Sequence, residues 1–324
     1  MKYACLFLAI FGLHCTEAAD LKLGMIGLDT SHVIAFTGLL NKTNSKDHVP
    51  GGKVVAAFKG GSPDVESSHS RVDGYTKQLQ EQFGVKIVDS IEELCSQVDA
   101  VLLESVDGRP HLEQARPVIK ARKPLFIDKP VAGSLRDAIE IYRLAKENNV
   151  PVFSSSSYRF YEGLIELKKS DVGEIRNVIS YGPAHLEPHH PDMFWYGVHP
   201  TEALFTIMGM GCQTVVRSDS KDSDVITGTW NGGRIGTLIG LRTGATPNKV
   251  LVFGSKANAE QKPGPGGYAP LLREIMKFFQ SGVAPVPAEE TIEMFAFMEA
   301  ADESKRQGGK PVSIEELLAK ERRR

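Results

Sequence analysis

Between Leu21 and Ser154, short continuous apolar runs alternate with segments of helical spacing, and this alternation constrains the fold more than any other feature. Leu21–Leu28, Lys53–Phe58, Lys86–Val88, Ala100–Glu104, Leu125–Ile127 and Val152–Ser154 read as strands. Ser31–Asn41, Val72–Phe83, Ile91–Gln97, Pro110–Ala121 and Ser134–Asn148 read as the helices between them. Strands apolar on both faces, each followed by a helix, imply a doubly wound parallel sheet with right-handed crossovers. Past about Ser155 the rhythm changes. Ile175–Gly182, Val225–Trp230, Arg234–Leu241 and Lys249–Phe253 follow one another as strands, preceded by one helix, Pro200–Met208. Helices return at Leu271–Gln280 and Glu289–Gln307, and Lys262–Gly267 (KPGPGG) is a loop. The expected organisation is an α/β unit over 19–153, then an α+β unit over 154–324 with a mixed or antiparallel open sheet.

The first residues carry a different signal. Lys2 precedes an apolar run, Tyr3–Leu13, and Thr16-Glu17-Ala18 offers small residues for cleavage. This is the pattern of a secretory signal peptide over 1–18, too short to span a bilayer. The chain is expected to be periplasmic or secreted, with no membrane span once mature. Cys15 lacks a convincing lipobox before it. Cys95 and Cys212 stand far apart without a Cys or His at metal spacing, as buried small hydrophobes do. A net charge of −2 over 324 residues gives no footprint for nucleic acid. The closing KERRR reads as a solvated helix end.

The turn after the first strand is GMIGLDTSH, Gly24–His32. A dinucleotide-binding turn carries glycines so that a pyrophosphate can approach the backbone at a helix N-terminus. Gly27 fits that role, while Asp29 and His32 stand where the second and third glycines would be. Asp29, Thr30 and Ser31 all suit an N-cap, and Asp29 with His32 suits a substrate or metal role. At the tip of the second strand the usual ribose-binding acid is absent. Lys59, followed by Gly60-Gly61-Ser62, suits a 2′-phosphate, or is an exposed loop lysine.

Phe126-Ile127-Asp128-Lys129-Pro130 ends the fifth strand. Together with Asp99-Ala100-Val101, Pro110-His111 and Tyr158-Arg159-Phe160, it resembles the Gfo/Idh/MocA oxidoreductases, whose signature here is Glu-Lys-Pro. The resemblance runs through nearly the whole mature chain. It implies a Rossmann-like first domain binding NAD or NADP, with oxidation of sugars, cyclitols or related polyols. It implies Lys129 and His199 as catalytic residues, with Asp128 and Pro130 beside the cofactor. In the family an Asp precedes the catalytic His by four residues; here Trp195 fills that place, and Asp192 or Glu202 are the available substitutes. Family members commonly associate through the second domain's open sheet, so a homo-oligomer is implied.

Four histidines, His185, His189, His190 and His199, fall within Pro183–Phe205. Pro200 suits a first helical turn, so His199 is expected at a helix N-terminus, where the dipole lowers an imidazole pKa. His185, Glu187 and His189 alternate, and in an extended segment would face one side. They suit zinc or manganese, or a sugar's hydroxyls. Glu104 and Asp107-Gly108-Arg109 follow the fourth strand at its ligand-binding end, or simply form a turn. Tyr158, Arg159, His185, Asp192 and Trp195 complete the expected substrate contacts.

Three readings follow. The first is an exported, NAD(P)-dependent oxidoreductase of a carbohydrate or cyclitol, with Lys129 orienting a hydroxyl and His199 taking its proton. The second is a cofactor-independent, metal-assisted hydrolase or lyase on the same scaffold. The third is a non-catalytic sugar-binding protein.

Overall fold

The computed structural model describes residues 19–323, so the leader expected over 1–18 lies outside the described residues. The first sheet contains β1 (Leu21–Ile26), β2 (Gly52–Phe58), β3 (Lys86–Val88), β4 (Ala100–Leu103), β5 (Leu125–Ile127) and β6 (Val152–Ser154). All pairs are parallel, in the order β3-β2-β1-β4-β5-β6. Its helices are α1 (Ser31–Asn41), α2 (Glu66–His69), α3 (Val72–Phe83), α4 (Ile91–Gln97), α5 (His111–Lys120) and α6 (Leu135–Glu147). Several are fixed by the residues preceding them: Ser90 and Ser134 accept the Glu93 and Asp137 amides as N-caps. The chain order reverses between β1 and β4, which opens a crevice at the strands' carboxyl ends.

After β6 come a 3₁₀ turn (Ser157–Phe160) and α7 (Glu162–Lys169), and then the second sheet begins with β7 (Ile175–Pro183). It continues through α8 (Asp192–Trp195), α9 (Val198–Met208), β8 (Cys212–Asp219), β9 (Ser223–Trp230), β10 (Ile235–Leu241), β11 (Lys249–Gly254) and β12 (Asn258–Glu260). The chain closes with α10 (Ala269–Ser281), α11 (Ala288–Arg306), β13 (Val312–Ser313) and α12 (Ile314–Arg322). The sheet order is β12-β11-β7-β10-β9-β8-β13, mixed because only β7 and β10 run parallel. Residues alternate between buried and accessible along β9 and β10, the mark of a sheet covered on one face. Trp230 packs there with Phe205 of α9 and Phe297 of α11.

The C-terminal helices also cover the first sheet. Leu271, Leu272, Ile275 and Phe278 of α10 join Leu23, Met25, Phe126 and Phe153 in one core, with the Phe153 and Phe278 rings 4.7 Å apart. The two sheets are thereby held around a shared cleft. No helix among the described residues is long and apolar enough to cross a membrane.

β8 is absent from the apolar pattern because, beside Cys212 and Val215, one of its buried residues is charged. Arg217 is 1% exposed and is offset by Asp192, Asp224 and Asp302. Lys320 and Arg322 stand in the last turn of α12.

Candidate active site in the cleft between the sheets

Gly27 turns the chain from β1 toward α1 at φ +82°, and a Cβ there would stand 2.1 Å from Ser105 Oγ. The N-cap of α1 is Thr30, whose hydroxyl accepts the His32 amide; Asp29 has other work. The Asp29 carboxylate is fully buried and accepts from Ser68 Oγ at 2.6 Å and from the Val106 amide at 2.9 Å. Burial raises its pKa against these hydrogen bonds.

Ser68 belongs to a segment, 59–71, that folds back over this turn. Gly60 packs so closely that a Cβ on it would come 3.1 Å from Gly27 Cα. Ser62 donates to Asp107 at 2.7 Å, and Arg109 bridges Asp107 and Asp64. Asp107-Gly108-Arg109 is therefore the anchor of this segment. Lys59 pairs with the exposed Asp73 at 2.5 Å and does not line the cleft.

The cleft encloses about 420 Å³, within the range of small-molecule sites. Thr30, Ser31, Ser67 and Arg71 line it together with Lys129, Tyr158, Trp195, Tyr196, His199 and Asn248, and with Tyr268 and His32 also on the wall. Lys129 leaves β5 through a cis bond to Pro130, and its Nζ lies 5.6 Å from the centre of the Tyr196 ring. The same ring lies 5.8 Å from that of His199. His199 is the second residue of α9. Its pKa falls well below the ordinary imidazole value, first through burial and then through the charge of Lys129. The ring is neutral near pH 7 and so fit to accept a proton.

The partner of His199 is neither of the expected acids. Its Nδ1 meets Ser156 Oγ at 2.7 Å, and the Ser156 amide donates to Glu202 at 2.6 Å. Glu202 also binds Arg159 and the Ser155 hydroxyl, while Asp192 is held by Arg217 and Lys305. Sequence reasoning missed Ser156; its signal was the Ser154–Ser157 run just past a strand end.

Of the other expected contacts, Glu187 lines the cleft, while Arg159, His185, His189 and Asp192 fall outside it. Arg159 is buried between Glu202 and Glu290, at 2.7 Å from each, so it is a structural cation. His185 Nδ1 meets the Arg242 carbonyl at 2.9 Å and does not line the cleft, nor does Asp192. His189 is exposed and pairs with Glu187 at 3.3 Å. Among the described residues the proposed trio of His185, Glu187 and His189 does not converge, because Pro188 and Pro191 break the extended run. His190 turns inward, where Nε2 accepts the Gly108 amide. Under the cleft, His32 meets Asp128 at 2.5 Å, with the buried Glu104 alongside. Burial and the neighbouring Asp128 push the Glu104 carboxyl well above its usual range.

In this fold a dinucleotide lays its pyrophosphate over the β1–α1 turn and its adenosine beyond the tip of β2. Segment 59–71 is tied over this turn through the hydrogen bond from Ser68 to Asp29. Thr30, Ser31, Ser67, Arg71 and Lys129 offer the cleft hydroxyl and cationic groups that could hold a phosphate-bearing cofactor.

Residues 22–156 match the family described as oxidoreductase family, NAD-binding Rossmann fold (GFO_IDH_MocA). An uncharacterized oxidoreductase of Streptococcus pneumoniae is 31% identical over 125 residues, 36% of this chain and 33% of that protein, so the match spans a third of the relative's length. The myo-inositol 2-dehydrogenase of Lactobacillus plantarum superposes with a TM-score of 0.75 at 18% identity, covering 91% of this chain and 99% of that one. The myo-inositol dehydrogenase of Lactobacillus casei, solved with NAD(H) and myo-inositol, gives 0.72 at 16% identity, covering 91% and 97%. At such identities the likeness is one of fold. Through residues 22–156, the chain matches the Gfo/Idh/MocA oxidoreductase family, and along 91% of its length it shares the fold of such dehydrogenases at low identity.

Proposed function

We propose that the chain is an oxidoreductase acting on a small polyhydroxylated substrate, a carbohydrate or cyclitol, in this cleft. The observation that carries the reading is the meeting of Lys129 and His199 around Tyr196, at the end of the parallel sheet where α/β folds bind ligands. Lys129 donates to and orients the substrate hydroxyl, and neutral His199 takes its proton while Ser156 holds the ring through Nδ1. The Trp195 and Tyr196 rings offer apolar faces against which a sugar or cyclitol ring can rest. The family supports NAD(P) as the hydride acceptor, with its phosphate and nicotinamide end held by Thr30, Ser31, Ser67, Arg71 and Lys129. The apolar run Tyr3–Leu13 supports export, and the accessible face of the second sheet supports self-association.

A second reading is favoured by one observation, the Ser68–Asp29 hydrogen bond that ties segment 59–71 over the turn where a dinucleotide's phosphates would lie. In that reading the same Lys129 and His199 move protons without a nicotinamide, as in a lyase. One experiment separates the two. The mature protein is titrated with NAD(H) and NADP(H), then assayed on a panel of sugars and cyclitols with and without the nucleotide. Saturable nucleotide binding with nucleotide-dependent oxidation supports the oxidoreductase. Product formation with no nucleotide present, and no binding on titration, sinks it.

A further inference from the structure

His32, Glu104 and Asp128 have no part in the proton transfer just described. They come from the first turn of α1 and the ends of β4 and β5, at the carboxyl edge of the parallel sheet. Their ligand atoms lie within 4.8 Å of one another: His32 Nδ1 stands 2.5 Å from Asp128 Oδ2 and 3.9 Å from Glu104 Oε2. Glu104 is wholly buried and Asp128 is 3% exposed. Both Glu104 oxygens and Asp128 Oδ1 lack a hydrogen-bond partner among the described residues. Buried polar atoms are ordinarily satisfied, and leaving carboxylates unpaired is costly. Two acids nearby show the contrast. Asp29 accepts from Ser68 and Val106, and Glu202 from Arg159, Ser155 and Ser156.

We propose that His32, Glu104 and Asp128 bind one divalent transition-metal ion, zinc or manganese, beneath the cleft. Two carboxylates offset the ion's charge, and a mixed imidazole–carboxylate set suits both metals. Bonds of about 2.0–2.2 Å place neighbouring ligand atoms roughly 3–4 Å apart. The His32–Asp128 hydrogen bond therefore opens and the Glu104 carboxylate moves in, shifts of about 1 Å. Three protein ligands leave a position open, as catalytic sites do, and His32 lines the cleft from which a substrate oxygen can enter it. The site differs from the His185, Glu187 and His189 group expected from spacing, and it does not depend on the nicotinamide reading.

The test is metal content and affinity, read without any activity assay. Mature protein purified without chelator, and then dialysed against zinc or manganese, is expected to hold about one ion per chain. Chelator-treated protein is expected to gain thermal stability when the ion is restored. Glu104→Gln keeps the side-chain volume and replaces an acid by a neutral group, so it folds whether or not the native site holds metal. Its affinity is expected to fall at least about tenfold, whereas Glu187→Gln with His189→Ala leaves affinity unchanged. Wild-type protein that takes up neither ion stoichiometrically overturns the proposal. So does a Glu104→Gln variant with wild-type affinity, since Glu104 is then a buried neutral acid. Nucleotide titration of the same samples reports separately on the oxidoreductase reading.

Discussion

The hydroxyl of Ser68 donates to the buried carboxylate of Asp29 across 2.6 Å, joining the loop after β2 to the turn after β1. This bond turns an altered glycine position into a latch. Removing Asp29 leaves the Ser68 hydroxyl and the Val106 amide without their acceptor. Asp29→Gly is therefore expected to lower stability by about 1–3 kcal/mol, as for unsatisfied buried groups. It is also expected to tighten NAD(P)H binding, because the path over the turn loosens. Urea unfolding and nucleotide titration check the two effects.

Lys129 and His199 are expected to carry the chemistry and little of the stability. Lys129→Ala and His199→Asn should each lower kcat by about 10²–10⁴-fold, the usual worth of a positioned acid or base, with unfolding midpoints near wild type. Ser156→Ala should cost less and act on kcat more than on KM, because Ser156 touches the ring and not the substrate. Full activity in Lys129→Ala would remove that lysine from either reaction.

Stability should fall on mild acidification. Burial holds the His199, His190 and His111 imidazoles below their ordinary pKa. Each therefore binds its proton more weakly folded than unfolded. Below about pH 6.5 the unfolded chain takes up more protons, so unfolding becomes easier as pH drops. Thermal melts from about pH 8 to 5 should show Tm flat at first and then falling, with a shallower fall in His199→Asn. A Tm that rises over that range would contradict the burial of these rings.

Arg159 should behave as a structural ion. Truncating it to Met leaves Glu202 and Glu290 without their cation, and breaking a buried pair from one side costs about 3–5 kcal/mol. The loss should appear in denaturant unfolding. A variant that unfolds like wild type but binds substrate poorly would return Arg159 to the cleft.

If the leader is processed as its composition suggests, intact mass of the protein recovered from the cell exterior or periplasm should begin near Ala19. Retention of Met1 in the cytoplasm would refute export.

Much of the first sheet was legible because its inner strands β4 and β5 are buried on both faces and appear as unbroken apolar runs bounded by helices. Lys129 and His199 were legible by resemblance, being tied to a strand end and a helix start. β8 was not, since Arg217 occupies its interior and its compensation by Asp192, Asp224 and Asp302 comes from other elements. Nor did spacing tell Arg159 from a substrate ligand, because Glu202 and Glu290 reach it from distant segments.

By itself, then, the sequence determined the alternation, the turn at Gly27 and the strand end that carries Lys129. These depend on local backbone preference and on burial periodicity, which neighbouring residues encode. Only the tertiary structure decided what Asp29, His32 and Glu104 do. Their partners Ser68, Val106 and Asp128 lie 39, 77 and 96 residues away or on adjoining strands, and no local pattern records such distances. Asp29, an apparent gap in a glycine motif, became the point where a loop is tied down. His32, one helical turn further on, became part of a buried acidic cluster because the parallel sheet sets the ends of β1, β4 and β5 side by side.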